Sequence, residues 1–145
     1  MIEYTEEKKF TRDEVQELFL SVNWVSGEYP KRLYKALMHS STVISAWKDG
    51  KLCGLVRVLD DSEMLAYVHY VLVNPKYQGL GIAGHLIELV KEKYKDYLYI
   101  EGMPEDKNNV AFYVKHDFQE FEGAGSIIIC NPGKKEGNPQ LDRVD

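Results

Sequence analysis

The sequence predicts a single α+β domain, a mixed sheet with helices on its faces. Three observations predict it. Three strand-like runs divided by turn signals fill residues 42–73. After them, an apolar stripe of helical period (Ile82, Leu86, Leu89, Val90) leads into another short strand-like run at 97–101, the order of a parallel βαβ crossover, right-handed by default. Two further helical segments precede the first of these strands. At 145 residues, 44% hydrophobic and 28% charged, the chain can bury one core and hardly two. The expected division is one domain over residues 1–131 and a polar tail over 132–145.

Each element has a local cause. Residues 2–5 form a short first strand. Thr11-Arg12-Asp13-Glu14 fits a capping box, with Phe10 and Val15 at the staple positions, and Val15, Leu18, Phe19 and Val22 make one apolar stripe. That helix fades at Asn23. Residues 24–29 read as a loop. Pro30 opens a second helix, because the N–H it lacks would be unpaired there anyway, and the helix ends near His39. A strand at 42–47 turns through Asp49-Gly50 into a strand at 52–59. A third, at 64–73, is rich in β-branched and aromatic residues and stops at Asn74-Pro75. A helix over 79–94, a strand over 97–101, a helix over 106–116 and a closing hairpin of 118–121 with 126–130 complete the order β-α-α-β-β-β-α-β-α-β-β.

Composition excludes several classes. Lys and Arg number 18 against 23 Asp and Glu, a net charge of −5, which argues against a nucleic-acid binder. The apolar runs are far shorter than the roughly 20 residues of a membrane span. The first residues have neither a basic region nor an apolar one, so no signal peptide is expected and the location is expected to be cytoplasmic. Cys53 and Cys130 each lie in an apolar, strand-like run and read as buried, reduced thiols. The histidines, His39, His69, His85 and His116, do not cluster with them, so no metal site is expected.

The chemical signal is Gln78-Gly79-Leu80-Gly81-Ile82-Ala83-Gly84. Glycines opening a helix leave backbone N–H groups unpaired and pointing one way, with the positive helix end behind them. Missing Cβ atoms let a bulky anion approach, so the turn suits a pyrophosphate. Gly79 to Gly84 also matches the dinucleotide fingerprint literally, with Glu101 at a plausible distance. That reading fails. Asn74 to Gln78 intervene after the strand, three antiparallel strands come first, and too few residues follow for a doubly wound domain.

The segment from Val71 through Asn74-Pro75 to Gln78-Gly79-Leu80-Gly81-Ile82-Ala83 resembles motif A of the GNAT superfamily of N-acetyltransferases: an apolar strand, a Pro, then Gln or Arg and spaced glycines. The element order is similar over about residues 2–130. A narrower likeness is to small bacterial members and plant serotonin-type enzymes, through the Tyr77-Gln78-Gly79 turn and Arg57-Val58-Leu59-Asp60. A second stretch, Asn109 to Phe118, resembles the family's A-x-x-L-Y-x-K-x-G-F pattern and puts Tyr113 on its tyrosine. Asp117 stands where the family has Gly, and Asp106 where Asn is common, so Asn108 or Asn109 is the candidate for that Asn's hydrogen bond.

The resemblance implies an enzyme that moves an acetyl group from acetyl-CoA to a primary amine of a small molecule or protein, by direct attack in a ternary complex. A non-catalytic acyl-CoA-binding or regulatory domain is the alternative. It implies that Val71, Leu72 and Val73 flank the pantetheine arm, that amides from Gln78 to Gly84 take the pyrophosphate, with Leu80 and Ile82 pointing into protein, and that Asn109 contributes to the cofactor site. Tyr113 would protonate the departing thiolate, and a backbone N–H such as that of Val71 would hold the oxyanion. His69 and Glu101 are the candidate bases. His69 alternates with Tyr70, so only one of them is expected to face the pocket. The other histidines read as surface or helix-end residues. Trp24, Tyr29 and Tyr34 are expected to line the acceptor pocket. Ten tyrosines hint at an aromatic amine, and the acidity mildly favours a cationic one. Members of the family are often homodimers, so a homodimer is a possible state. No nucleic-acid or membrane partner is expected.

Overall fold

The computed structural model describes residues 1–104, 106–131 and 136. Five strands lie in the spatial order of the sequence: β1 (Glu3–Thr5), β2 (Thr42–Lys48), β3 (Lys51–Asp60), β4 (Leu65–Val73) and β5 (Tyr99–Gly102). The first four are antiparallel and β5 joins β4 in parallel. The helices are α1 (Arg12–Ser21), α2 (Pro30–Met38), α3 (Ile82–Lys93) and α4 (Val110–Lys115). The predicted α+β mixed sheet is therefore present.

Strand alternation divides the core into two layers. Val15, Leu18 and Phe19 of α1 and Leu33 and Leu37 of α2 pack on Val43, Trp47, Leu52, Leu55 and Leu72. On the opposite face, Ile82, Leu86, Ile87 and Val90 of α3 pack on Ile44, Val56, Val58, Ala66 and Val68. Phe112 and Tyr113 of α4 join that second layer. The capping box that starts α1 is complete: Glu14 N–H donates to Thr11 Oγ1 at 3.1 Å and Thr11 N–H to Glu14 Oε1 at 2.9 Å. Gly54 lets β3 and β4 approach closely, since a Cβ there would lie 2.7 Å from the Leu72 carbonyl oxygen.

Three expectations need correcting. Residues 118–121 and 126–130 form no strand. Phe118 packs against the α3-side core, but the apolar side chains beyond it stay in solvent, with Phe121 77% and Ile127 93% exposed, so burial gives no layer to pair into. Cys130 is exposed for the same reason, while Cys53 is buried as expected. The last two helices start later than predicted. Gly81, at φ 73°, caps α3, and a 3-10 turn at Lys107–Asn109 precedes α4. The predicted tail at 132–145 lies outside the described residues apart from Glu136.

Candidate functional site

A bulge in β4 organises the site. Arg57 pairs with Tyr70 but Val58 with Val68, so His69 is an extra residue without its own partner. The parity of the strand reverses there. Before the bulge, Ala66 and Val68 face the α3 layer; after it Val71 and Val73 do, while Tyr70 and Leu72 face α1. The backbone reverses with it. The Met64 carbonyl accepts from Tyr99 N–H on β5, whereas Asn74 N–H donates to Cys53 O on β3. Counting back from Asn74 by alternation directs the Val73 and Val71 N–H groups away from β3, toward the side where β5 would continue.

There β5 is absent. The parallel pairing ends at Val68 with Gly102, and Pro104 has no N–H to extend the ladder. A cleft of about 710 Å³ opens between the parted strands. It is lined from both faces of the sheet: Trp24, His69 and Tyr70 on the α1 side, and Ile82, Ala83, Phe112 and Tyr113 on the α3 side. It is a passage through the sheet.

The glycine-rich turn forms one wall. Gln78, Gly79, Gly81, Ile82, Ala83 and Gly84 line the cleft. No side chain caps α3 at Gly81, and the Ile82, Ala83 and Gly84 amides lie in the first turn, where no intrahelical acceptor exists. Ile82 is buried, as expected. Leu80 is 51% exposed and does not line the cleft, because the chain at φ 84° in Gly79 and 73° in Gly81 swings the residue between them outward. That corrects the expectation that Leu80 points into protein.

Tyr113 lines the opposite wall, against Phe118 and Phe112 at ring distances of 5.4 and 5.1 Å. Burial pushes its phenol above the usual value, and its hydroxyl has no hydrogen-bond partner among the described residues. Asn109 lines the cleft and Asn108 does not. Asp117, where the resembled pattern has Gly, adopts φ 74° after α4, with its carboxylate 2.5 Å from Lys91 Nζ. That ion pair holds the carboxyl below the ordinary range.

His69 and Tyr70 both line the cleft, because the bulge breaks the alternation that would have separated them. Their rings lie 4.1 Å apart. Arg57 Nη1 is 2.6 Å from His69 Nδ1, Arg57 Nε donates to Ser40 Oγ at 2.8 Å, and the guanidinium lies over Tyr70. A guanidinium only donates, so Nδ1 accepts and the imidazole proton sits on Nε2. Desolvation first, and the Arg57 charge second, lower the His69 pKa. While Arg57 holds it, His69 has no free lone pair for a substrate proton but does offer an Nε2–H donor. Sequence reasoning missed Arg57 because the contact crosses two strands at a bulge.

Glu101 is exposed, in register with Tyr67 on β5, and does not line the cleft. Trp24 lines it as expected, 5.6 Å from the Tyr70 ring, whose hydroxyl is 2.6 Å from Ser26 Oγ. Tyr34 packs edge-on against Phe10 beside the α1–α2 core, and Tyr29 lies beneath Arg32; neither lines the cleft.

The family model for the acetyltransferase (GNAT) family matches residues 8–118. The chain is 28% identical over 110 residues to an uncharacterized N-acetyltransferase of Porphyra purpurea, covering 72% of this chain and 63% of that one. A similar protein of Prochlorococcus marinus is 32% identical over 87 residues, covering 57% and 48%. The chain thus matches about half to three fifths of these relatives' lengths. Among solved structures, a GNAT family acetyltransferase of Streptococcus pneumoniae superposes with a TM-score of 0.76 at 25% identity, covering 91% of this chain and 100% of that one. A probable acetyltransferase of Staphylococcus aureus has the same fold, with a TM-score of 0.80 at 20% identity, covering 90% and 100%. With a split sheet, a glycine-capped helix end and a family match over most of its length, the chain belongs to the acetyltransferase (GNAT) family.

Proposed function

We propose that the protein transfers an acetyl group from acetyl-CoA to a primary amine by direct attack in a ternary complex. The observation that carries this is the passage between β4 and β5, with an anion-binding helix end on one face of the sheet and an aromatic wall on the other. Acetyl-CoA enters on the α3 side. The Val73 amide pairs with the pantetheine arm, with Val71 and Leu72 flanking it. The amides from Gln78 to Gly84, those of Gly79, Leu80, Gly81, Ile82 and Ala83 among them, hold the pyrophosphate, and Asn109 closes the α4 side.

The amine enters past Trp24 and Tyr70 and attacks the thioester carbonyl carbon. The Val71 N–H stabilises the oxyanion. On collapse the C–S bond breaks, and Tyr113 gives its proton to the leaving thiolate. The ammonium proton leaves through water to Glu101, on the same side of the sheet as Tyr67, and not directly to His69. His69, with its proton on Nε2, serves as a hydrogen-bond donor at the mouth of the passage.

A thermal-shift comparison of acetyl-CoA with NAD, followed by thiol release across an amine panel, tests this. Stabilisation by acetyl-CoA together with turnover of at least one amine supports it. Binding without turnover on any amine supports the non-catalytic acyl-CoA-binding alternative, and stabilisation by NAD alone refutes both.

A further inference from the structure

The turn at 74–84 carries a single charged side chain, Lys76. A diphosphate bound there must draw its remaining counter-charge from elsewhere. Beside it, α4 ends at Lys115 with His116 as its C-cap, and both line the cleft. His116 is tied down. Its Nδ1 lies 2.8 Å from Glu88 Oε2, its ring leans on Phe112 at 4.9 Å, and its side chain is 18% exposed. A carboxylate only accepts, so the Nδ1–H donates to Glu88.

The opposite edge of the ring faces α3. A Cβ on Gly84 would lie 3.2 Å from both Cε1 and Nε2 of His116. Gly84 belongs to the first turn of α3. The bare face of this glycine thus seats the imidazole edge beside the unpaired amides. The charged groups around the ring are Glu88, which Lys91 Nζ also contacts at 3.1 Å, Asp117, which Lys91 contacts at 2.5 Å, and the neighbouring Lys115. Lys91 bridges both carboxylates, so Glu88 orients the ring without standing alone as its counter-charge.

We infer that His116, oriented by Glu88 and seated on Gly84, takes up a proton from solvent on Nε2 when the diphosphate binds, and pairs with it. This selects nucleotide-bearing thioesters over bare pantetheine ones. The inference rests on the acyl-CoA reading above.

Calorimetry on the full chain tests it, with dephospho-CoA as the probe, since its diphosphate does not itself titrate near neutrality. Titrations at pH 7.5 in two buffers of different ionisation enthalpy read the protons exchanged. The expected result is net proton uptake by the wild type. In His116→Gln the uptake is lost and dephospho-CoA binds about tenfold or more weakly, the scale of one charge-assisted hydrogen bond, while S-acetyl-pantetheine affinity is unchanged. Undiminished affinity and uptake in His116→Gln, or an equal loss for both ligands, overturns the inference. Should that variant fail to fold, the wild type decides: proton uptake with dephospho-CoA but not with S-acetyl-pantetheine supports it, and equal uptake overturns it. A wild type that binds neither ligand overturns the acyl-CoA reading itself, a result distinct from the others.

Discussion

Replacing Gly54 by alanine tests how closely β3 and β4 approach beside the cleft. The added Cβ would lie 2.7 Å from the Leu72 carbonyl oxygen, 3.2 Å from Val73 Cγ2 and 3.3 Å from Val73 Cα. Two of these are backbone atoms that no rotamer change can remove. Relief requires the strands to part by several tenths of an ångström, and overpacking of this kind costs about 1–3 kcal/mol. Alanine also restricts the unfolded chain, which returns about 0.4–1 kcal/mol. The net expectation is about 1–2 kcal/mol of destabilisation, and at about 3–4 °C per kcal/mol for a chain of this size Tm falls by about 3–8 °C. Thermal unfolding followed by circular dichroism reads it. Gly125→Ala is the control, because a Cβ there meets no atom within 4 Å. Leu72 and Val73 also line the cleft, so acetyl-CoA binding weakens in Gly54→Ala beyond what unfolding explains. A Tm within about 1 °C of wild type, well below the shift expected for overpacking, would show that the strands do not approach as described.

Three other outcomes are expected. Tyr113→Phe removes a hydroxyl that has no partner among the described residues, so Tm and acetyl-CoA affinity change little while kcat falls by about 10²-fold or more; an unchanged kcat removes the acid role. Arg57→Met deletes the second cause of the depressed His69 pKa and leaves the first, burial, in place. The folded state binds this proton less readily than the unfolded chain does, so stability is lost as pH falls below the ordinary value of 6.5. In Arg57→Met the His69 resonance titrates at higher pH and that loss shrinks; an unmoved NMR titration refutes the contact. Gly81→Ala forces a side chain into φ 73°, costs roughly 1–2 kcal/mol and weakens acetyl-CoA binding, and a melting curve superimposable on wild type would contradict that backbone.

Features caused by neighbouring residues were legible in the sequence. The Thr11–Glu14 box, Pro30 at a helix start and the Asp49-Gly50 turn each act within a few residues and recur where expected. The motif turn from Gln78 to Gly84 was legible because its chemistry is backbone chemistry. What depends on pairing was not. Strand alternation alone would separate His69 from Tyr70, and only the register of β3 against β4 reveals that a residue is skipped. Arg57 enters the sequence reading only through the Arg57-Val58-Leu59-Asp60 likeness, and it is that skip which brings it to His69. In the other direction, Ile127–Ile129 have strong strand propensity, yet propensity without a surface to cover leaves them in solvent.

The skipped residue makes position 69 a place where β4 can change length without changing face. Exchanging His69 for another amino acid keeps Val71 and Val73 on their layer. Removing position 69 entirely leaves Val68 and Val71 two residues apart, so plain alternation keeps Tyr70 opposite Arg57, Val71 opposite Val56 and the Val71 amide away from β3. A missense change and a single-codon deletion at the same place therefore have one fate for the core. The first alters the mouth of the passage. The second straightens the strand and takes away the residue that stands beside Tyr70 at that mouth, so the extra residue serves the passage and not the layer it borders.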